Sequence, residues 1–476
     1  MALSIPATIK RHFDLEPGEA AVLWLMGAQI ATLLGAYTIV KVLRDSMFIS
    51  SYGALALPYG YVAVALASLG LLALDARFAR RLSGTTVADV GQYVAIAASL
   101  AAALLKSRGA DWLPAVFYVW AGSQAMLLLS HFWIGALDVW DSRRARVLFP
   151  VLSGFGLLGG IAGGAFASWG ASRIHTQGLL WVLFGLLVVV RGWSFLLARR
   201  VPSKPLIAQA AASAPRWKAF AESSYLRHLA AAVGLAVLIS TLVDFQFKFL
   251  AQKIYPTDAE LARFLGGFYA GLQALALVVQ FGFAGAVLRR VGLGPSSALQ
   301  PASMFVFGVG LLLVPIWPIA LAMRWAQGIL FQTFGKPASE IYFLALRPPE
   351  RRQVKPVLDV LVERGADALA GLLLVVTLRA MGVDVRIVGV LTALAAAVWI
   401  FVIYRLHRRY VAAFRASLSA PWAEPETASQ ALRVPGVVRA LVEAIRSGDE
   451  RQATIALRFS QRVGDRRLRD AVQESL

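Results

Sequence analysis

The chain has 476 residues, 58% of them hydrophobic and 16% charged, and it has no cysteine, which excludes disulfide and thiolate chemistry. A water-soluble domain is nearer half apolar and a quarter charged, so this composition, with a mean hydropathy of +0.65, excludes an ordinary soluble globule. The net charge of +20 would suggest nucleic acid in a soluble chain, but here most Lys and Arg fall in alternate short loops between apolar runs, which excludes that partner and points to a lipid bilayer.

A membrane-crossing helix needs about 20 apolar residues. Twelve such runs are expected, at 20–49, 56–74, 87–105, 113–137, 147–171, 178–197, 227–250, 263–288, 297–316, 318–346, 357–379 and 385–404. The first follows a segment with Lys10, Arg11 and two prolines. It is longer than a signal-peptide core and shows no cleavage-site pattern, so a retained first helix is expected.

Charge sets the orientation. One side of the runs collects 22 Lys and Arg, including Arg77, Arg143, Arg144, Arg199, Arg289, Arg351 and Arg405; the other collects seven, including Arg44, Lys106, Arg173 and Arg379. Such a bias puts both termini and the central loop in the cytoplasm, as in a multi-pass protein of a bacterial inner membrane.

Residues 199–225 form the longest interior polar stretch, with Pro202, Pro205 and Pro215. They read as a cytoplasmic linker between an N-terminal six-helix half, 1–198, and a C-terminal one, 226–405. Trp217 to Phe220 could lie on the membrane surface. The halves echo each other: Arg143-Arg144 and Arg351-Arg352 follow corresponding runs. Two similar six-helix halves resemble the major facilitator architecture, so the expected fold is all-α and integral to the membrane. Beyond Arg405 the chain turns polar. Residues 420–476 read as cytoplasmic helices, with Val438, Leu441, Val442, Ile445 and Ile455, Leu457, Phe459 at helical spacing. They resemble a HEAT-type helix pair or a simple hairpin, and could hold a cytoplasmic protein partner.

Catalytic motifs do not survive inspection. Gly154-x-Gly156-x-x-Gly159 fits a dinucleotide pattern but lacks the strand before it and the acid after it; Gly156, Gly160 and Gly164 instead read as a small-residue stripe for close helix packing. Gly335-Lys336 lacks the earlier glycine of a phosphate loop and is followed by Pro337. The five histidines are scattered. No enzyme, metal site or cofactor is expected.

Charges inside the runs carry the chemistry. Lys41, Arg44 and Asp45 share a face of the first run; Asp244, Gln246 and Lys248 lie within one turn in the seventh. Arg324, Lys336 and Glu340 lie in the tenth, Arg324 with no carboxylate within four residues. Charges at membrane depth are costly and usually face a bundle interior or a watery cavity. The bland alternative is a set of self-neutralising pairs that snorkel to the headgroups. The functional reading is a basic lining for an anionic small molecule, because an arginine fork binds two phosphate oxygens and lysine adds a point charge. Asp138, Arg143, Arg144, Arg351, Arg352, Asp359, Glu363 and Arg364 read as cytoplasmic salt bridges that gate the halves.

At these residues the chain resembles the ATP/ADP translocase type of nucleotide transporter, through Tyr37-Thr38-Ile39 to Arg44-Asp45, Phe132-Trp133 to Gly164, and Lys355 to Gly371. That resemblance implies a major-facilitator-like carrier that exchanges nucleotides, with Lys41, Arg44, Lys336 and Glu340 at the family's lysine and glutamate positions. Here the motif is Lys-Val-Leu-Arg-Asp-Ser rather than the family's usual Leu-Arg-Asp followed by Thr-Lys-Asp. The expected function is antiport of a nucleotide or other phosphorylated metabolite. The alternatives are a membrane scaffold or sensor acting through its C-terminal helices, and a lipid flippase.

Overall fold

The protein is described here from a computed structural model. It describes residues 19–79, 84–140, 142–200, 220, 223–279, 282, 293–343, 346, 350, 354–355 and 357–418. Residues 201–219 and 221–222 of the expected linker, the C-terminal helix pair, Arg351 and Arg352 lie outside them, as do the side chains of Asp138 and Arg143.

The described chain is helical, and no strand occurs among the described residues. The helices are α1 (Glu19–Tyr52), α2 (Leu57–Ala79), α3 (Gly84–Ser107), α4 (Leu113–Val139), α5 (Ser142–Arg173), α6 (His175–Ala198), α7 (Ser224–Ile254), α8 (Asp258–Val279), α9 (Leu293–Leu313), α10 (Trp317–Leu330), α11 (Lys336–Phe343), α12 (Glu363–Met381) and α13 (Val385–Leu418). Ten described helices are long and apolar enough to cross a membrane. The tenth and eleventh expected runs are also helical but interrupted. Phe331–Gly335 is a π-helical turn between α10 and α11, and Val357–Val362 is another before α12. Wide turns of this kind locally disturb the hydrogen-bond ladder and are common at functional positions.

Burial follows the logic of lipid. Asp45, Gln246, Lys248 and Thr392 are fully buried, while Leu66, Val306, Leu313 and Val376 are exposed. Apolar outward faces cost nothing in hydrocarbon, whereas a polar side chain must find its partner inside.

The described residues fall into two compact units. One is drawn from Met1–Ala211 and Lys248–Leu277, the other from Ala212–Phe247 and Val278–Leu476. In the first, α1 packs against α4, α5 and α6. The α5 glycines make this possible. A Cβ on Gly159 would collide with the carbonyl of Ala31, and one on Gly163 with that of Gly35. Of the expected stripe, Gly156 also faces α1, at Leu34 and Ile30, whereas Gly160 meets Gln273 and Gly164 meets the backbone of Gly266 and Ala270, both on α8. Small residues let backbones approach where no hydrophobic force draws helices together in lipid. In the second unit α9 packs along α13 by the same device, with Gly308 against Gly389 and Ala393.

Candidate functional site

In the first unit a buried carboxylate gathers the charges. Lys248 Nζ lies 2.8 Å from Asp45 Oδ2, with both side chains wholly buried. Arg44 closes on the other oxygen, with Nη2 and Nε each 2.8 Å from Oδ1. Tyr269 Oη of α8 donates to Asp45 Oδ2 at 3.4 Å, and Lys41 Nζ sits 4.0 Å over the Tyr269 ring. The Arg44 guanidinium lies 4.9 Å over the Tyr118 ring of α4, which packs on Phe48. One turn further along α8, Gln273 Nε2 donates to Thr38 Oγ1. Helical spacing explains the convergence: residues four apart share a face, so Tyr269 and Gln273 meet the α1 face that carries Thr38, Lys41 and Asp45.

Further polar ties hold the end of α7 and α8 to the same unit. Gln252 accepts from Ala54 N at 2.7 Å and donates to Ile49 O at 3.2 Å. Asp258 accepts from Thr176 Oγ1 at 2.8 Å and lies 3.7 Å from Lys106.

A second cluster stands in the other unit. Arg324 Nη2 of α10 lies 3.1 Å from Asp244 Oδ1 of α7, and its Nη1 donates to Gln327 Oε1. Gln327 Nε2 donates to Ser240 Oγ at 3.0 Å. Gln246, fully buried, donates to Thr392 Oγ1 of α13 at 2.7 Å. Thr241 Oγ1 donates to Asp367 on α12, which Arg364 also holds at 2.9 Å.

These geometries amend several expectations. Arg324 is not an uncompensated cation: its carboxylate comes from another helix, which sequence distance concealed. Neither Asp244 nor Lys248 is confined to a self-neutralising turn, since each is also tied to another helix. Neither set lies splayed as a snorkelling pair would, for burial of Lys248 is complete. Glu340 pairs with Lys355, although Lys336 is its neighbour in helical register. Lys336 and Glu340 are both exposed. Of the expected gating residues, Arg144 meets Glu19 at 3.2 Å, Asp359 lies 3.9 Å from Lys355, and Glu363 lies 3.8 Å from Arg364. Sequence reasoning missed Tyr118, Tyr269, Gln273, Gln327 and Thr392; the signal for Gln273 and Gln327 was an amide inside an apolar run. Among the described residues no group of three or more His, Asp or Glu converges as a metal site would.

Solved structures define the class. The chain is similar to the nucleoside transporter NupG, with a TM-score of 0.60 and 14% identity over 81% of this chain and 99% of that one. It is also similar to a bacterial homologue of the iron transporter ferroportin in an inward-facing state, with a TM-score of 0.62 and 14% identity over 81% and 98% of the two chains. For a D-xylose–proton symporter the values are 0.56 and 12% over 79% and 96%. At these identities the likeness establishes the fold: a multi-pass, all-α membrane protein of the major facilitator type. The family resemblance is supported separately, since residues 208–332 match the family described as TLC ATP/ADP transporter. That segment spans α7 to α10 and carries Asp244, Lys248 and Arg324. No curated protein sequence matches the chain.

Proposed function

We propose that the protein is a secondary transporter that moves an organic anion of the nucleotide or phosphorylated-metabolite class across a bacterial inner membrane by alternating access. Lys41, Arg44, Lys248 and Arg324 would bind the anion, with Gln246 and Lys336 alongside. Asp45, Asp244 and Glu340 would hold these cations when the site is empty and exchange partners as substrate enters. In this reading the halves are 1–198 and 226–405, joined by a cytoplasmic linker at 199–225, with both termini cytoplasmic. Asp138, Arg143, Arg144, Arg351, Arg352, Asp359, Glu363 and Arg364 would gate the cytoplasmic side, and the helices of 420–476 would serve a cytoplasmic partner.

The observation that carries the proposal is the Asp45 cluster. A carboxylate held by both Arg44 and Lys248 inside a membrane bundle is costly to bury, and apolar packing would stabilise the bundle as well or better. Ionisable groups kept at membrane depth mark substrate pathways by default. The match of residues 208–332 to an ATP/ADP transporter family supports the substrate class.

The test is uptake of labelled ADP into proteoliposomes loaded with ATP. Arg44→Gln should cut exchange by about tenfold or more while the purified protein melts within a few degrees of wild type. Exchange at the wild-type rate in that variant removes Arg44 from the site, and no uptake of any phosphorylated solute by wild type overturns the carrier reading.

A further inference from the structure

We propose that the outer faces of α6 and α13 each hold an anionic phospholipid, its phosphate against an arginine braced on an aromatic ring. This needs only a membrane-crossing chain and does not depend on what the protein carries. On α13, Leu394, Val398, Phe401, Arg405 and Arg408 are all exposed. They follow one another at spacings of four and three, so they form one stripe along the helix. On α6, Trp181, Val188, Phe195 and Arg199 are exposed at spacings of seven, seven and four, again one stripe, with Arg199 at the helix end. Gly192 lies on that stripe, and a Cβ added there would have no atom within 4 Å. Each stripe passes from apolar to aromatic to basic along the axis. A bilayer leaflet offers the same order from its midplane outward: acyl chains, interface, phosphate. α13 is 34 residues long, about 51 Å, so it overruns a hydrocarbon core of about 30 Å and carries its arginines to headgroup level.

The rings hold the guanidinium groups in place. Arg199 lies 4.3 Å over the Phe195 ring, Arg405 4.9 Å over Phe401, and Arg408 5.9 Å over Tyr404. Each ring stands four residues before its arginine, one turn back on the same face. The same distance of 206 residues separates Phe195 from Phe401 and Arg199 from Arg405, so the device recurs in the sixth and twelfth expected runs. A guanidinium stacked on a ring keeps its fork for two phosphate oxygens. The buried arginines are differently engaged: Arg44 meets a carboxylate at 2.8 Å and Arg324 at 3.1 Å. Among the described residues Arg199, Arg405 and Arg408 have no carboxylate partner, so charge complementarity points to an anion from outside the chain. A zwitterionic headgroup would bring an ammonium that finds no carboxylate beside these arginines, which favours a lipid of net negative charge. A soluble phosphate would meet the arginines and leave the apolar stripe unused, whereas a phospholipid meets both.

The experiment adds phosphatidylglycerol, phosphatidylcholine or glycerol 3-phosphate to the delipidated full-length protein in neutral detergent. Native mass spectrometry reads the lipid retained, and thermal shift reads its effect on melting. Wild type should hold phosphatidylglycerol about tenfold or more tightly than phosphatidylcholine. The triple variant Arg199→Gln/Arg405→Gln/Arg408→Gln should bring the two lipids within about twofold, while its melting without lipid stays within a few degrees of wild type. Arg386→Gln, which takes an equal charge from an exposed position at the other end of α13, should leave the preference intact. Should the triple variant fail to fold, Arg199→Gln and Arg405→Gln/Arg408→Gln, made separately, should each lower the number of phosphatidylglycerol molecules retained. Equal retention of the two lipids by wild type overturns the proposal. So does an equal loss in Arg386→Gln, which would make the attraction one of net charge alone. Displacement of phosphatidylglycerol by glycerol 3-phosphate at equal concentration also overturns it, because the arginines would then read a free anion and not a lipid.

Discussion

Lys248 Nζ and Asp45 Oδ2 meet at 2.8 Å from two helices, and neither side chain keeps any contact with solvent. Removing one member leaves the other charge buried. Lys248→Met leaves Asp45 still held by Arg44, so it should lower stability by less than the ~3–5 kcal/mol of a wholly uncompensated buried charge. The double variant Asp45→Asn/Lys248→Met, which also takes the carboxylate from Arg44, should lose less than the sum of the two single variants and should not recover transport. Denaturation in detergent supplies the double-mutant cycle, and additive losses would show that the pair is not coupled.

The α1–α5 contact should tolerate no added atom at two positions. Gly163→Val and Gly159→Leu drive a side chain into the backbone of α1, so neither variant should yield monodisperse protein. Gly154→Ala is the control: nothing lies within 4 Å of the added carbon, and removing a mid-helix glycine should stabilise by about 0.5–1 kcal/mol. Size-exclusion profiles separate the outcomes. A well-behaved Gly163→Val protein would contradict the packing.

Gln246 is bound to Thr392 at 2.7 Å and is fully buried. Gln246→Leu leaves the Thr392 hydroxyl to its own backbone bond with Val388 O and should destabilise by about 1–3 kcal/mol. Adding Thr392→Val should restore part of it. Because Gln246 is placed alongside the anion, Gln246→Leu should also raise KM well beyond about twofold. A KM within about twofold of wild type would leave Gln246 a structural tie between α7 and α13 and remove it from the site.

Glu340 and Lys355 are exposed enough for water to screen them. Glu340→Gln should change stability by no more than about 1 kcal/mol, and any loss should vanish in high salt. A transport defect with unaltered melting would place Glu340 in the transport cycle rather than in the fold.

The amino-acid sequence by itself determined the membrane class, because hydropathy and the alternation of basic loops are local quantities that need no folded partner. It also marked Lys41, Arg44, Asp45, Asp244, Lys248 and Arg324 as unusual, since a charge within an apolar run is visible wherever it points. The glycine stripe was legible for the same reason, but its neighbours were not: Gly159 and Gly163 proved to touch α1, while Gly160 and Gly164 turn to α8. Partnership was decided only by the tertiary structure. Asp45 with Lys248, Asp244 with Arg324, and Gln246 with Thr392 each join residues far apart in the chain. A buried ion accepts whichever opposite charge the packing of helices delivers, and that packing is set by backbone approach and not by sequence distance.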